Sequence, residues 1–178
     1  MRILVIENEI PDYEDIKACL PKFIQHDHRQ TINIADIDCL PSDFSICISD
    51  LLEETRREVA YESNEISMAF RRRVKLLSKL KQKINCKLLI CTKMPAYEIW
   101  EHLKTLDDDS DANALFADEY DKLHQDLNIA KDNGSKFIIY QSSSVYIISK
   151  LFIHFGEENE RWKKLFTELM NGLCEIDK

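Results

Sequence analysis

The chain has 178 residues, of which 44% are hydrophobic and 31% charged, and its formal net charge is −8. This length and balance predict one folded domain that buries a core without a metal or disulfide staple. The three glycines, Gly134, Gly156 and Gly172, lie far apart. Their spacing excludes the glycine-rich phosphate loops of dinucleotide-binding and P-loop proteins, and the nucleophile elbow of α/β-hydrolases.

The six cysteines form no CxxC pair, and no apolar run is long enough to span a membrane. The negative net charge also argues against general electrostatic attraction to nucleic acid or to an anionic membrane. We therefore expect a reduced, cytoplasmic protein that has no membrane partner.

The first part of the chain alternates predicted strands and helices. Apolar runs predict buried strands at 2–6 and 44–49, with a weaker strand at 31–35 between them. Pro11 suits the first turn of a helix that runs to Leu20. Apolar residues three or four positions apart then predict a long helix over 64–84.

The second part continues the alternation, with predicted strands at 87–91 and 136–140 and predicted helices at 95–103, 113–131, 143–155 and 157–173. This order predicts an α/β fold: a flavodoxin-like, doubly wound parallel five-stranded sheet with helices on both faces and extra helical elaborations. We expect a domain over 1–155 with helical insertions near 51–85 and 105–135, and a C-terminal helix within 156–178 packed on the same domain.

Polar side chains follow the predicted strands. Glu7 and Asn8 follow the first strand, Asp50 follows the strand at 44–49, Thr92 follows the next, and Gln141 follows the last. Because sites in such sheets lie at the carboxyl ends of the strands, we expect these side chains to share one pocket.

Three segments carry a resemblance to a known family. The opening "RILVIENE", the strand "FSICISDLL" and the strand "KLLICT" resemble the corresponding segments of a response regulator receiver domain. The resemblance implies that Glu7 and Asn8 take the positions of the acidic pair and that Asp50 takes the phospho-acceptor position. It also implies that Thr92 is the switch hydroxyl and that Gln141 stands near the position of the fifth-strand lysine.

The chain departs from the receiver pattern at two of these positions. Asn8 is neutral where the resembled family has a second Mg²⁺ ligand. Glu7 and Asp50 are the candidate ligands for Mg²⁺, the only cofactor that the pocket suggests, and Glu9 is an alternative source of the missing carboxylate. No lysine lies in register after "FIIY", since Lys150 falls inside the predicted helix at 143–155. These departures favour a degenerate, pseudo-receiver-like member of the two-component signalling class.

We therefore expect a regulatory domain that acts by binding another protein through the predicted helix 95–103 and the terminal helices. Phosphorylation at Asp50 stays an open alternative. A weaker alternative is a Mg²⁺-dependent enzyme of phosphoryl or nucleotide chemistry that uses the same acidic pocket. On balance the sequence favours a protein that is not an enzyme.

A basic segment gives a further alternative. From Arg71 to Lys87 the chain has eight basic residues and no acidic residue, which suggests a nucleic-acid-binding component. The patch would contain the following side chains: Arg71, Arg72, Arg73, Lys75 and Lys79. The same pattern fits the solvated face of an amphipathic helix, or a helix that packs against the acidic stretch 107–126 of this chain or of a second copy in a homo-oligomer.

Overall fold

One mixed sheet forms the centre of the protein. The computed structural model describes residues 1–51, 63–106, 110–116, 120–133, 137–150 and 156–175. The strands are β1 (Arg2–Ile6), β2 (Gln25–Arg29), β3 (Phe44–Ser49), β4 (Lys87–Thr92), β5 (Ile138–Gln141) and β6 (Val145–Ser149). Their order across the sheet is β2-β1-β3-β4-β6-β5, and every neighbouring pair is parallel except β5 and β6.

Helices cover both faces of this sheet. They are α1 (Ile10–Cys19), α2 (Ser63–Ile84), α3 (Ala96–Lys104), α4 (Ser110–Phe116), α5 (Tyr120–Asn133) and α6 (Gly156–Glu175), and a 3₁₀ turn spans Ile34–Cys39. None of the helices among the described residues combines the length and the apolar character that a membrane span requires.

Two hydrophobic cores lie on opposite faces of the sheet, because successive residues of a strand point to opposite sides. Leu4 and Ile6 of β1 belong to the core that contains residues of α2, α3, α4 and α5. Ile3 and Val5 belong to the core beneath α1 and α6. The predicted α/β class with helices on both faces is therefore confirmed. The helix α6 packs on the sheet through Trp162, the first of its buried residues.

The second strand lies six residues before the segment predicted for it. The prediction for 31–35 was wrong, and β2 has the sequence QHDHR, which contains no apolar residue. Among the described strands, β2 pairs with β1 alone and lies at the edge of the sheet, so burial does not require apolar side chains there. Ile32 lies instead in the segment that leads to the 3₁₀ turn, and its side chain is buried in the same core as residues of α2.

The predicted helix at 143–155 was wrong over 143–150, because Val145–Ser149 is a strand, and 151–155 lie outside the described residues. A serine turn joins this strand to β5. The Ser142 N–H donates to the Val145 carbonyl at 2.8 Å, and the Ser142 hydroxyl accepts the Val145 N–H at 2.9 Å. All five residues of β6 are buried between β4 and β5. Among the described residues the sheet thus has six strands, where five were predicted.

Within the predicted helix at 113–131, the structure describes α4 as far as Phe116 and α5 from Tyr120 onward. Within the insertions predicted near 51–85 and 105–135, α2 packs against α4, and α5 packs against α3. Parts of those insertions, at 52–62, 107–109, 117–119 and 134–136, lie outside the described residues.

Candidate functional site

A buried lysine lies at the carboxyl end of the sheet. Lys150 directly follows β6, and its backbone N–H donates to the Thr92 carbonyl at the end of β4 at 2.8 Å. The residue is 0% exposed. Just before it, the Ser149 carbonyl accepts the indole N–H of Trp162 at 2.8 Å. The strand end that presents Lys150 is therefore held by both β4 and α6.

Three carboxylates surround the Lys150 ammonium. Its Nζ lies 2.6 Å from Glu7 Oε2, 2.8 Å from Asp12 Oδ2 and 2.8 Å from Asp50 Oδ2. Glu7 directly follows β1, Asp50 directly follows β3, and Asp12 lies in the first turn of α1. Parallel strands end at the same edge of the sheet, so these residues meet although they are far apart in the sequence.

In two of these carboxylates, the oxygen that does not contact Lys150 accepts a hydrogen bond from a backbone N–H. Glu7 Oε1 accepts the Glu9 N–H at 3.0 Å, and Asp50 Oδ1 accepts the Leu51 N–H. Such charge-assisted bonds fix the orientation of each carboxylate in the pocket.

A second lysine completes the arrangement. Lys93 follows β4, and its Nζ lies 2.7 Å from Glu9 Oε2 and 2.9 Å from Asp12 Oδ2. Its side chain is 14% exposed, whereas that of Lys150 is 1% exposed. Lys93 thus lies on the outer side of the pocket. We call the following six residues the ion cluster: Glu7, Glu9, Asp12, Asp50, Lys93 and Lys150.

Burial and pairing act in opposite directions on the pKa values of the cluster. Burial raises the pKa of Glu7, although Lys150 opposes the shift. Burial also acts to raise the pKa of Asp12, but Lys150 and Lys93 outweigh it and the pKa is lowered. Burial acts to lower the pKa of Lys150, yet Asp50, Glu7 and Asp12 raise it above the ordinary lysine value. Lys150 therefore stays protonated well into the alkaline range.

The structure brings most of the predicted pocket residues together. Glu7 and Asp50 belong to the ion cluster, and half-buried Asn8 follows Glu7 in the chain. Thr92 is buried next to Lys93, and its hydroxyl accepts the Met94 N–H at 3.0 Å. That hydroxyl thus stabilises the turn from which Lys93 extends.

Gln141 is not part of this pocket. Because β5 is antiparallel, Gln141 pairs with Tyr146 near the start of β6, at the end of the sheet opposite to Lys150. Its backbone carbonyl accepts the Lys122 ammonium at 2.6 Å. Gln141 is therefore separate from the predicted pocket, and the side chain from this part of the sheet that contacts Glu7 and Asp50 is that of Lys150.

Sequence reasoning missed Lys150 because it assigned the residues before it to a helix. The available signal was a β-rich run, VYIIS, that follows the strand residues IIYQ after three turn residues. Asp12 was missed because it lies inside α1, and Lys93 was missed because the strand was predicted to end at 91, one residue before β4 ends. The packing of α1 beside the turn after β4 brings the two together.

The residues of the pocket do not fit a resident Mg²⁺ ion of the kind that the receiver resemblance implies. Glu7 Oε2 and Asp50 Oδ2 both contact the Lys150 ammonium, and their other oxygens accept backbone N–H groups. Within the described part of the chain, no three His, Cys, Asp or Glu side chains are arranged to hold a metal ion. Two ammonium groups supply positive charge to this cluster.

The basic segment is only partly exposed. Arg73 is buried, Arg71 donates to the Thr105 carbonyl at 3.3 Å, and Lys81 donates to the Leu115 carbonyl at 3.3 Å. The basic side chains of α2 that are exposed at i, i+3, i+7 and i+11 spacing form what we call the α2 stripe: Arg72, Lys75, Lys79 and Lys83.

Comparison with known proteins gives distant structural likeness to solved structures. The chain matches no protein-family model and no curated protein. It is similar to a solved structure of the RcsB response regulator of Salmonella typhimurium, described for its conformational dynamism in DNA interaction. The TM-score is 0.38 at 14% sequence identity, and the match covers 81% of this chain and 63% of that one. The chain thus spans less than two thirds of the regulator's length.

Proposed function

We propose that this protein is a receiver-like regulatory domain that acts by binding another protein, without turnover of a phosphoryl group at Asp50. The observation that carries the proposal is the contact between Lys150 and Asp50 inside the ion cluster. Asp50 is the residue that matches the phospho-acceptor of the resembled family, and Lys150 supplies the lysine that the sequence alone did not reveal.

The burial of the cluster supports a functional role over a purely structural one. Buried ion pairs lose so much hydration that well-packed apolar residues often stabilise a fold equally well or better. Clusters of perturbed ionisable groups at the carboxyl end of an α/β sheet are accordingly candidates for function. Lys150, Glu7 and Asp12 are all almost completely buried.

The charge balance supports a role that does not need phosphorylation. Four carboxylates face two ammonium groups, which leaves two formal negative charges unbalanced. A phosphoryl group brings about −1.5 to −2 further charge at neutral pH. Without another cation, that charge would repel Glu7 and Asp12, which lie around the same ammonium as Asp50.

The exposed face of α3 is the surface that we propose for the partner. Tyr97, Glu101 and Lys104 are exposed at i, i+4 and i+7 spacing, so they share one side of the helix. Tyr97 is 49% exposed, and aromatic side chains are enriched at protein interfaces. Lys93 lies in the turn that precedes α3, so a short turn connects the ion cluster to this face.

Site-specific photo-crosslinking in cells that naturally contain the protein tests the proposal. A photoreactive phenylalanine analogue replaces Tyr97 in one variant and Phe23, which is 77% exposed, in the matched control. We expect a discrete protein adduct from position 97 but not from position 23. We also expect the same adduct, in similar yield, when Asp50→Asn is added.

Two outcomes would contradict the proposal. Equal labelling from both positions would show that α3 carries no specific surface. Loss of the adduct in a folded Asp50→Asn protein would show that the interaction depends on the chemistry of Asp50.

The α2 stripe favours nucleic acid as a second candidate partner. Its four cations extend over about 16 Å of helix, because each residue adds about 1.5 Å along the axis. Binding to a polyanion through such a stripe would weaken steeply as the salt concentration rises. Association with a second copy through the acidic stretch 107–126 stays a prediction, since 107–109 and 117–119 lie outside the described residues.

A charge-reversal pair tests this candidate. The test variant changes Arg72, Lys75 and Lys79 to Glu, and the control changes the exposed Lys17, Lys22 and Lys164 to Glu. Both variants alter the net charge equally. If the stripe binds DNA or RNA, the test variant loses affinity at low salt and the control retains most of it. Equal losses, or no binding of the unmodified protein, would rule the stripe out.

A further inference from the structure

The resemblance to a receiver domain implies a divalent metal ion in this pocket, and the ion cluster contains the ammonium group of Lys93 in addition to that of Lys150. We propose that Lys93 is a tethered cation that takes the place of a divalent metal ion in the ion cluster, and that it thereby fixes the turn between β4 and α3 to α1. This role goes beyond the proposed function and does not depend on which partner the domain binds.

The position of Lys93 within the cluster carries the inference. Its ammonium bridges Glu9 and Asp12, at 2.7 Å and 2.9 Å, on the outer side of the pocket. The inner side is filled by Lys150, which contacts the same Oδ2 atom of Asp12. The two ammonium groups therefore approach one carboxylate oxygen from two directions.

Two neighbouring ammonium groups repel each other, so their shared contact requires surrounding negative charge. The cluster supplies that charge through four carboxylates, and its pairs have little contact with water, since the Asp12 side chain is 0% exposed. Lys93 is thus unlike a lysine in a solvated surface pair, which contributes about 0–1 kcal/mol. Lys93 helps to neutralise the Asp12 carboxylate, which is buried away from water.

Because Lys93 is covalently attached to the chain, its ammonium group occupies this position more readily than a free metal ion would. A side chain fixed beside its ligands acts at a high effective concentration. Mg²⁺, by contrast, must lose tightly bound water molecules and requires oxygen ligands in near-octahedral geometry. In the cluster, Lys93 contacts one oxygen of Glu9 and one of Asp12. Removing the ammonium would release the Glu9 oxygen, leave Asp12 Oδ2 with Lys150 in place of two lysines, and raise the formal excess of negative charge by one.

Metal titration of matched variants tests the proposal. The test variant is Lys93→Met, the charge-preserving variant is Lys93→Arg, and the control is Lys104→Met, which removes an exposed lysine paired with Glu101. Mn²⁺ serves as the probe, because it broadens the amide NMR signals of nearby residues. The amides of Glu7, Glu9 and Leu51 report on the cluster, and thermal melts with Mg²⁺ give a second measurement.

We expect Lys93→Met to bind Mn²⁺ about tenfold more tightly than the unmodified protein, and to gain thermal stability with Mg²⁺. Lys93→Arg and Lys104→Met should behave like the unmodified protein. If Lys93→Met does not fold, Lys93→Gln replaces it, because the amide is neutral and still donates to Glu9. Tight Mn²⁺ binding at these amides in the unmodified protein, or no gain in the folded neutral variant, would overturn the proposal.

Discussion

The Nζ atom of Lys150 lies 2.8 Å from Oδ2 of Asp50, although β4 separates the two strands that these residues follow. The lysine side chain therefore crosses the end of β4. The backbone bond from Lys150 to the Thr92 carbonyl sets the start of this path. The contact requires β6 to be parallel to β4, so that both strands end at the same edge of the sheet. The hairpin from the antiparallel strand β5 gives β6 this direction.

Replacing Lys150 with methionine should destabilise the fold strongly at neutral pH. The change leaves Glu7, Asp12 and Asp50 buried without their shared counter-charge, and breaking a buried pair in this way costs about 3–5 kcal/mol. Acidification should recover part of the free energy of unfolding that the variant has lost, because protonated carboxyl groups need no neighbouring cation. Urea unfolding at neutral and mildly acidic pH measures both effects.

The Lys104→Met variant is the control for this experiment, because Lys104 forms an exposed pair with Glu101. It should change the free energy of unfolding by less than about 0.5 kcal/mol. A Lys150→Met protein as stable as the unmodified one, with no pH response, would show that the buried lysine is not paired as described.

The stability advantage of the unmodified protein over Lys150→Met should shrink in alkaline solution. The pKa of Lys150 is raised in the folded state, whereas an unfolded lysine titrates at about 10.4. Below that pH both states hold the proton and the contribution is complete. As the pH rises past it, the unfolded state releases its proton first, so the free energy of unfolding falls.

Urea midpoints of the two proteins, measured in parallel from neutral to strongly alkaline pH, check this prediction. Tyrosine and cysteine ionisation affects both proteins, so the difference between them isolates Lys150. A difference that widened with pH would mean that the folded-state pKa of Lys150 is lowered rather than raised.

Acetyl phosphate should leave Asp50 unmodified. Both of its side-chain oxygens are engaged, one by the Leu51 N–H and one by Lys150. The cluster already carries excess negative charge, which opposes the approach of a phosphoryl donor. Intact mass after incubation with Mg²⁺ and acetyl phosphate measures the outcome. An adduct that disappears in Asp50→Ala would make the protein a working phospho-acceptor and contradict the expectation.

Neighbouring arginines of α2 should respond very differently to charge reversal. Arg73 is 5% exposed and lies near Cys47, whereas Arg72 is exposed. Arg73→Glu should lower the free energy of unfolding by roughly 3 kcal/mol or more, because it places an unpaired anion in the core. Arg72→Glu should change it by less than about 0.5 kcal/mol. Similar chemical denaturation curves for the two variants would contradict the burial of Arg73.

The central strands could be predicted from the sequence, because burial on both faces selects continuous apolar runs. The runs that became β1, β3 and β4 were found at nearly their observed bounds. Glu7 and Asp50 followed directly, since a residue after a central parallel strand lies at the functional edge of the sheet.

The sheet edges and the lysines of the cluster could not be predicted in the same way. QHDHR forms β2 through backbone pairing with β1, with a side-chain pattern that indicates no strand. VYIIS could be read as a strand or as part of a buried helix, because a short apolar run has no distinguishing period. The error at VYIIS concealed Lys150. Lys93 meets Asp12 only through tertiary packing, which no local pattern encodes.

The position of Lys150 in the chain also bears on how the protein is made. Glu7, Asp12 and Asp50 leave the ribosome long before Lys150 does, since synthesis runs from the amino end. Until the lysine emerges, closing the sheet would bury three anions without their shared partner. A nascent chain that lacks Lys150 therefore has an electrostatic reason to keep these three carboxylates in water. Closure of the sheet around them is favourable only after synthesis has passed residue 150.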